Sequence, residues 1–481
     1  MKQQRMNFRI LAMILTVMLV GLAAFSAYSV ITYGNRWFSF SRNPRVREQK
    51  ASVIAGDILD RNGVTLATTA DGKRVYQQDV NARSAIVHLI GDPQGQVSNS
   101  VEMFQTNYLY GFQLTLPEMI NTMGETRRGD NVQLTIDSRL CAAIPQYFAA
   151  SPDTAGKNGA VVVMNYKTGE VIASVSLPGF DPMNINEAVL SHPGHPFWNR
   201  VTQAVYPPGS TFKTITTASA LKNVEGVESK TFTCEGGLTV DPVHTILDYA
   251  GDSHGSLSLK KAFTVSCNNT FASLALYDIG DKHLRETAEA FGFNDNFLFR
   301  DLVVENSSYP TANRTSYEIA MSGIGQSAIV ASPMHMCMVA ASIANDGVMM
   351  EPRLLYSVDS AAGVNRMTYE PAVYRTVMEA PVARTVGGYM REVVSSGSGR
   401  RAAVSGLTVC GKTGTAESSS DSRAINYGWF IGYIDDDRYP FAVCVLVEDI
   451  PDGKSGGNTA APIAGQIFQY LKAHPELASG Q

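Results

Sequence analysis

The sequence contains no Cys-x-x-Cys pair, no His-Glu-x-x-His, no run of basic residues and no long polar tract. Its six cysteines, Cys141, Cys234, Cys267, Cys337, Cys410 and Cys444, are scattered, and its eight histidines show no ligand spacing. That pattern argues against a zinc site or a redox dithiol, so no metal and no cofactor is expected. The thiols read as small buried hydrophobes, and an oxidising compartment would permit disulfides whose pairing the sequence does not give. With a formal net charge of -5 and no basic cluster, the chain offers no footprint to a phosphate backbone, which excludes nucleic acid as a partner. Charged residues are only 17% while hydrophobic residues reach 44%, a balance that builds packed cores rather than disorder.

Charge is missing altogether from residues 10–33, where Leu, Ile, Val, Met, Ala and Phe dominate. A bilayer span needs about 20 such residues. Lys2, Arg5 and Arg9 precede the stretch, so the positive-inside bias places the remainder of the chain outside the cytoplasm. A cleaved signal peptide would have an apolar core of about 7–15 residues, so an uncleaved single-pass anchor is expected.

A chain of 481 residues implies about three units, small ones included. The expected division is a tail and anchor at 1–34, a linker at 35–50, a small α+β pedestal at 51–150 and a larger domain at 151–475. In the pedestal, Asp60-Arg61-Asn62-Gly63 is a turn between two short strands, residues 132–136 form a strand, and Asp137 caps a helix over 138–149. The larger domain opens with a hairpin over 159–177, turning at Tyr166-Lys167-Thr168-Gly169. Helical patterns dominate from 212 to 353, and strands return beyond 407, with a turn at Asp435-Asp436-Asp437. Strands first, helices next and strands last predict an α+β domain: an antiparallel sheet built from both ends of the domain, with helices packed on it and a helical lobe beside it.

Three short patterns carry the chemistry, and each occurs more than once. Ser-x-x-Lys is found at Ser210/Lys213, Ser219/Lys222 and Ser258/Lys261; Ser-x-Asn at Ser41/Asn43 and Ser266/Asn268; Lys-Thr-Gly at residues 167–169 and 412–414. Context selects among them. Ser210 follows Tyr206-Pro207-Pro208-Gly209 and opens a helix-compatible run, which puts its hydroxyl at a helix start with Lys213 one turn further on the same face. A desolvated lysine loses its proton near neutral pH and serves as the base for that hydroxyl. Ser219 falls in the third turn of the same helix and Ser258 reads as an N-cap. Ser266 and Asn268 stand at a helix end; Ser266 suits a proton relay and Asn268 a hydrogen bond to a substrate amide. Lys412, Thr413, Gly414 and Thr415 lie on a strand: Lys412 and Thr413 suit a substrate carboxylate, Gly414 lets the backbone approach, and the N–H groups of Ser210 and Thr415 suit an oxyanion hole. The Lys167 pattern lies in a hairpin turn and the Ser41 pattern in the linker, so both are set aside.

In this order the triplet resembles the transpeptidases of the class B penicillin-binding proteins, in the smaller subgroup tied to elongation, division or spore formation. Residues 56–63 (GDILDRNG), 133–137 (QLTID), 159–182, 323–326 (GIGQ) with Ser332-Pro333, 343–347 (IANDG) and 429–432 (WFIG) are similar as well. The resemblance implies a penicillin-binding transpeptidase fold and a D,D-transpeptidase that cross-links stem peptides of peptidoglycan, or of lipid-linked precursor strands, through a Ser210 acyl-enzyme and is blocked by β-lactam antibiotics. It implies active-site roles for Ser210, Lys213, Ser266, Asn268, Lys412 and Thr413, a helix-loop at Gly325/Gln326 near the site, and a multispanning membrane glycosyltransferase as partner. A serine β-lactamase or β-lactam sensor, a D,D-carboxypeptidase and a non-catalytic scaffold share parts of the pattern. Two departures stand out. Ala55 occupies the position where the family usually has Arg before the glycine, so a salt bridge from that point to the catalytic domain is not expected, and the pedestal is short.

Overall fold

The computed structural model describes residues 2–38, 53–112, 126–418 and 425–479. The linker expected at 35–50, and with it the Ser41/Asn43 pattern, lies almost wholly outside these. The chain begins with a helix, Lys2–Phe38. Within it Met6–Ser29 has a mean hydropathy of 2.5 over its most apolar stretch, and it is the one helix among the described residues long and apolar enough to cross a membrane. Its 24 residues rise about 36 Å at 1.5 Å each, more than the ~30 Å of a hydrocarbon core.

The larger domain is organised by a five-stranded antiparallel sheet in the order Val409–Ser418, Ile425–Ile434, Phe441–Val447, Gly159–Asn165, Val171–Leu177. The early hairpin and the late meander therefore meet in one sheet, where Phe441 pairs with Asn165 and Val447 with Gly159. Every residue of Gly159–Asn165 and Phe441–Val447 is buried, which requires cover on both faces and explains their unbroken Val, Ala and Leu runs. Helix Pro333–Ala344, apolar around its circumference and buried from Pro333 to Ile343, lies on one face. Helices Ser138–Ala149 and Ala460–Ala473 lie on the other, with Phe430 meeting Phe468 edge to face. As expected, Asp137 caps the first of these by accepting from the N–H groups of Arg139 and Leu140.

Strand Val409–Ser418 is the edge of this sheet, and against it lie the turn Gly209–Phe212 and helix Ala380–Ser395. The helical lobe follows the sequence pattern, except that it also contains strands. Gly237–Asp241 and His244–Leu247 form a hairpin, and Thr231–Cys234 pairs with Gly255–Ser258. These ladders bury only a few side chains, such as Phe232, Cys234, Ile246 and Leu257. Their apolar alternation is too sparse to register against the surrounding helical pattern.

The pedestal sheet does not stay within residues 51–150. Its six strands run Asn365–Thr368, Leu355–Asp359, Asn131–Leu134, Ile58–Leu59, Thr65–Ala70, Lys73–Tyr76, so two come from late in the chain. Ala55 is buried and carries no charge, in keeping with its sequence. The ionic link to the larger domain is made a few residues on: Arg61 lies 3.6 Å from Glu170, on the turn of the early hairpin, and Arg353 pairs with the same carboxylate. All three side chains are buried, and Arg61 also donates to the Thr135 carbonyl at 3.1 Å. The bridge missing at Ala55 is thus supplied by the Asp-Arg-Asn-Gly turn itself.

Candidate active site

Ser210 sits in the 3-10 turn Gly209–Phe212, which runs directly into helix Lys213–Asn223. Two glycines shape its surroundings. Gly209 has φ +52°, and a Cβ there would come within 2.6 Å of the Thr415 carbonyl oxygen. At Gly414 a Cβ would meet Thr211 Cγ2 at 2.9 Å and the Pro208 carbonyl at 3.0 Å. The glycine of Lys-Thr-Gly therefore makes room for the turn bearing Ser210, and the edge strand and that turn touch because neither has a side chain between them. The Gly325 loop closes the other side, accepting the Gly209 N–H at 2.9 Å.

Below the turn is a buried polar chain. Lys213 Nζ donates to the Ser266 carbonyl at 2.7 Å and to Asn268 Oδ1 at 2.8 Å, and reaches Ser266 Oγ at 3.3 Å. Lys412 Nζ donates to the same Oγ at 2.9 Å and to the Thr413 carbonyl at 2.9 Å. Ser266 is placed there by its backbone: it ends helix Leu259–Val265 at φ +63°, in the left-handed region, which turns Ser266 and the next helix, Asn268–Ser273, toward Lys213. Both lysines are fully buried. Burial lowers the Lys213 ammonium to about 8, against the opposing attraction of Asp248. Burial, and then the charge of Lys213, hold Lys412 well below the usual lysine range.

The other face of the edge strand carries Thr413 and Thr415, two residues apart and so on the same side. Thr413 Oγ1 lies 2.5 Å from Ser398 Oγ, and Thr415 Oγ1 accepts from the Gly456 N–H at 3.3 Å. Of the residues singled out in the sequence, Lys213, Ser266, Asn268 and Lys412 thus form one contiguous group, while Thr413 and Thr415 line the adjoining face and Gly414 faces the Ser210 turn. The alternatives are structural where they stand: Ser219 Oγ bonds the His283 carbonyl, Ser258 caps its helix, and the Lys167 pattern occupies the hairpin turn.

One part of the site carried no sequence signal. Asp248, 4% exposed, accepts the Asn268 N–H and the thiols of Cys234 and Cys267 at 3.0 and 3.1 Å, with His254 Nδ1 at 3.4 Å. Cys234, Asp248, His254 and Cys267 bring potential ligand atoms within 4.8 Å of one another. The expectation of no metal site rested on spacing along the chain, and a set assembled from four separate segments escapes that test. As placed, both thiols donate to one carboxylate, so the cluster is a satisfied hydrogen-bond network that fixes Cys267, the middle residue of Ser-x-Asn.

The penicillin-binding protein transpeptidase domain matches residues 159–469. The chain is 33% identical over 360 residues to the peptidoglycan D,D-transpeptidase PbpA of Mycolicibacterium smegmatis, covering 71% of this chain and 72% of that protein. It is 28% identical over 384 residues to the peptidoglycan D,D-transpeptidase MrdA of Acinetobacter baumannii, covering 71% of this chain and 54% of that one. Penicillin-binding protein A from M. tuberculosis, solved as a ceftriaxone acyl-enzyme complex, superposes with a TM-score of 0.79 at 28% identity, over 88% of this chain and 99% of that chain. With a match across most of the chain, and the three motifs meeting at the sheet edge, the chain belongs to the penicillin-binding protein transpeptidases, as a class B member of the elongation, division and sporulation type.

Proposed function

We propose that the chain is a membrane-anchored peptidoglycan D,D-transpeptidase working through an acyl-enzyme on Ser210. The observation that supports this most is the path from Lys213 through Ser266 to Lys412, set beside the turn that carries Ser210. Ser210 Oγ attacks the carbonyl carbon of the penultimate D-Ala of a stem peptide and its proton passes to neutral Lys213. The N–H groups of Ser210 and Thr415 receive the oxyanion. The intermediate collapses with cleavage of the C–N bond, the proton travels from Lys213 by way of Ser266 to the departing amine, and D-Ala leaves. An amine of a neighbouring stem then attacks the ester carbonyl, forms the cross-link and returns the proton to Ser210. Lys412 donates to Ser266 Oγ at the far end of the relay, Asn268 holds the donor amide, and Thr413 and Thr415 receive the terminal carboxylate.

Lys2, Arg5 and Arg9 ahead of the apolar span favour an outward catalytic half. The exposed anchor and the pedestal are the surfaces that a multispanning glycosyltransferase would contact, and co-purification with none would count against that partner. The catalytic reading is tested by mass spectrometry of the detergent-solubilised chain after brief exposure to benzylpenicillin, followed by a chase. A stable adduct on Ser210, absent in Ser210→Ala, supports the transpeptidase. An adduct lost during the chase makes the protein a β-lactamase, and no adduct makes it a scaffold.

A further inference from the structure

Three of the four residues ahead of Ser210 offer no polar side chain: Pro207, Pro208 and Gly209. The two prolines also lack an N–H and have φ fixed at about −65°, so they form a stiff link that carries a shift at its upstream end on toward the nucleophile. That end is Tyr206, 5% exposed. Its N–H and C=O both bond the backbone of Ala331, at 3.0 and 2.8 Å. Its ring meets Tyr427 and Trp429 edge to face, and the Trp429 indole donates to the Pro207 carbonyl at 3.0 Å. Its hydroxyl donates to Glu448 Oε1 at 2.6 Å, the short distance of a bond to a charged acceptor.

Glu448 follows directly on strand Phe441–Val447, the middle strand of the five, and its own N–H donates to the Asn158 carbonyl at 3.0 Å. Its carboxylate is well partnered: Oε1 also accepts from Arg200 Nε at 2.8 Å, and Oε2 accepts from Asn158 Nδ2 at 2.9 Å. Arg200, with its side chain 2% exposed, balances the charge at a depth where a lone carboxylate is unfavourable. Glu448 thus ties the centre of the sheet to the one polar side chain in the segment that leads to Ser210, and it belongs to none of the three motifs.

Resting on the Ser210 acyl-enzyme reading above, we propose that Glu448 is a positioning residue: by holding the Tyr206 hydroxyl it fixes the Pro-Pro-Gly link, and so the placement of Ser210 against the Lys213–Ser266 relay. It acts on the rate of the chemical step, because what it holds bears on the nucleophile and not on the groups that receive substrate.

The test compares the full-length protein with Tyr206→Phe, Glu448→Gln, Glu448→Ala and the double variant Tyr206→Phe/Glu448→Ala. Stopped-flow acylation is read over a series of benzylpenicillin concentrations, and thermal unfolding beside it. Tyr206→Phe removes only the hydroxyl; it is expected to lower the limiting acylation rate about 10-fold and to leave the half-saturating concentration within about 2-fold. Glu448→Gln keeps an acceptor for the phenol and strips the charge opposite Arg200. Its rate is expected to stay within about 3-fold of the wild type while the unfolding midpoint drops by about 5 °C. Rate and stability then part company, which a purely structural carboxylate would not produce. Adding Tyr206→Phe to Glu448→Ala is expected to slow acylation no further, since both remove one contact. A wild-type rate in Tyr206→Phe, a Glu448→Gln rate as low as that of Glu448→Ala, or losses that multiply in the double variant would each overturn the proposal. If Glu448→Ala does not fold, Tyr206→Phe and Glu448→Gln still decide it. A wild-type chain that forms no acyl adduct sinks the Ser210 reading and the proposal with it, whereas a normal adduct with indifferent variants sinks the proposal alone.

Discussion

Between Lys213 and Lys412 stands a single hydroxyl, that of Ser266, and the nearby carboxylate, Asp248, is already engaged by two thiols and the Asn268 N–H. Two ammoniums at this depth repel each other, and that repulsion adds to burial in depressing Lys412, while burial alone lowers Lys213 to about 8. A neutral Lys213 is the form that accepts the Ser210 proton. Acylation by benzylpenicillin is therefore expected to rise with pH and level off above an apparent pKa of about 8, read from stopped-flow rates between pH 6 and 10. The same group leaves a mark on stability. Its folded pKa lies below the unfolded value of 10.5, so the unfolded chain binds more protons between about pH 8 and 10.5, and this residue's burden on the fold is full below that window and fades as pH rises through it. At this scale the sequence was legible where residue types sit in a fixed order: from their repeats, context picked out Lys213, Ser266, Asn268 and Lys412, which meet in one hydrogen-bonded group beside the turn that carries Ser210. Asp248 and Ser398 could not be picked out in this way. Each reaches the site from a segment with no pattern of its own, and its partners are defined only once the chain has folded.

Among the elements, the contact between the edge strand and the turn Gly209–Phe212 is the one on which the site depends. Gly414→Ala places a methyl group within 2.9 Å of Thr211 Cγ2, and pushing the turn away displaces Ser210 from the relay. The acylation rate is expected to fall on the order of 100-fold while the far-ultraviolet circular dichroism stays unchanged, since a displacement near 1 Å has that effect on a reacting group. The long elements were legible because their burial is one-sided or complete: the hairpin over 159–177, the late strands and the capped helix Ser138–Ala149 all stand where the pattern put them. The hairpin Gly237–Asp241 with His244–Leu247 was not, because its exposed residues, including Val243 and Leu247, break the alternation on which a strand assignment rests.

At the scale of the molecule, the buried triad Arg61, Glu170 and Arg353 joins the pedestal to the turn of the early hairpin. Neutralising its one carboxylate strands two guanidiniums out of water. Glu170→Gln is expected to lower stability by about 3 kcal/mol, measured by urea unfolding of the full chain, with benzylpenicillin acylation preserved under native conditions. The resemblance in the sequence anticipated the loss of charge at Ala55 but not this substitute, since nothing along the chain shows that residues 61, 170 and 353 converge.

The pedestal sheet has a consequence for how the protein comes into being. Strand Asn131–Leu134 lies between Ile58–Leu59 and Leu355–Asp359, and the early catalytic hairpin likewise waits for Phe441–Val447. During synthesis neither half can close when its own first strands leave the ribosome. Both sheets are completed only after most of the polypeptide has been made, so the two halves mature together, and a chain interrupted midway would leave two open sheet edges rather than one finished domain.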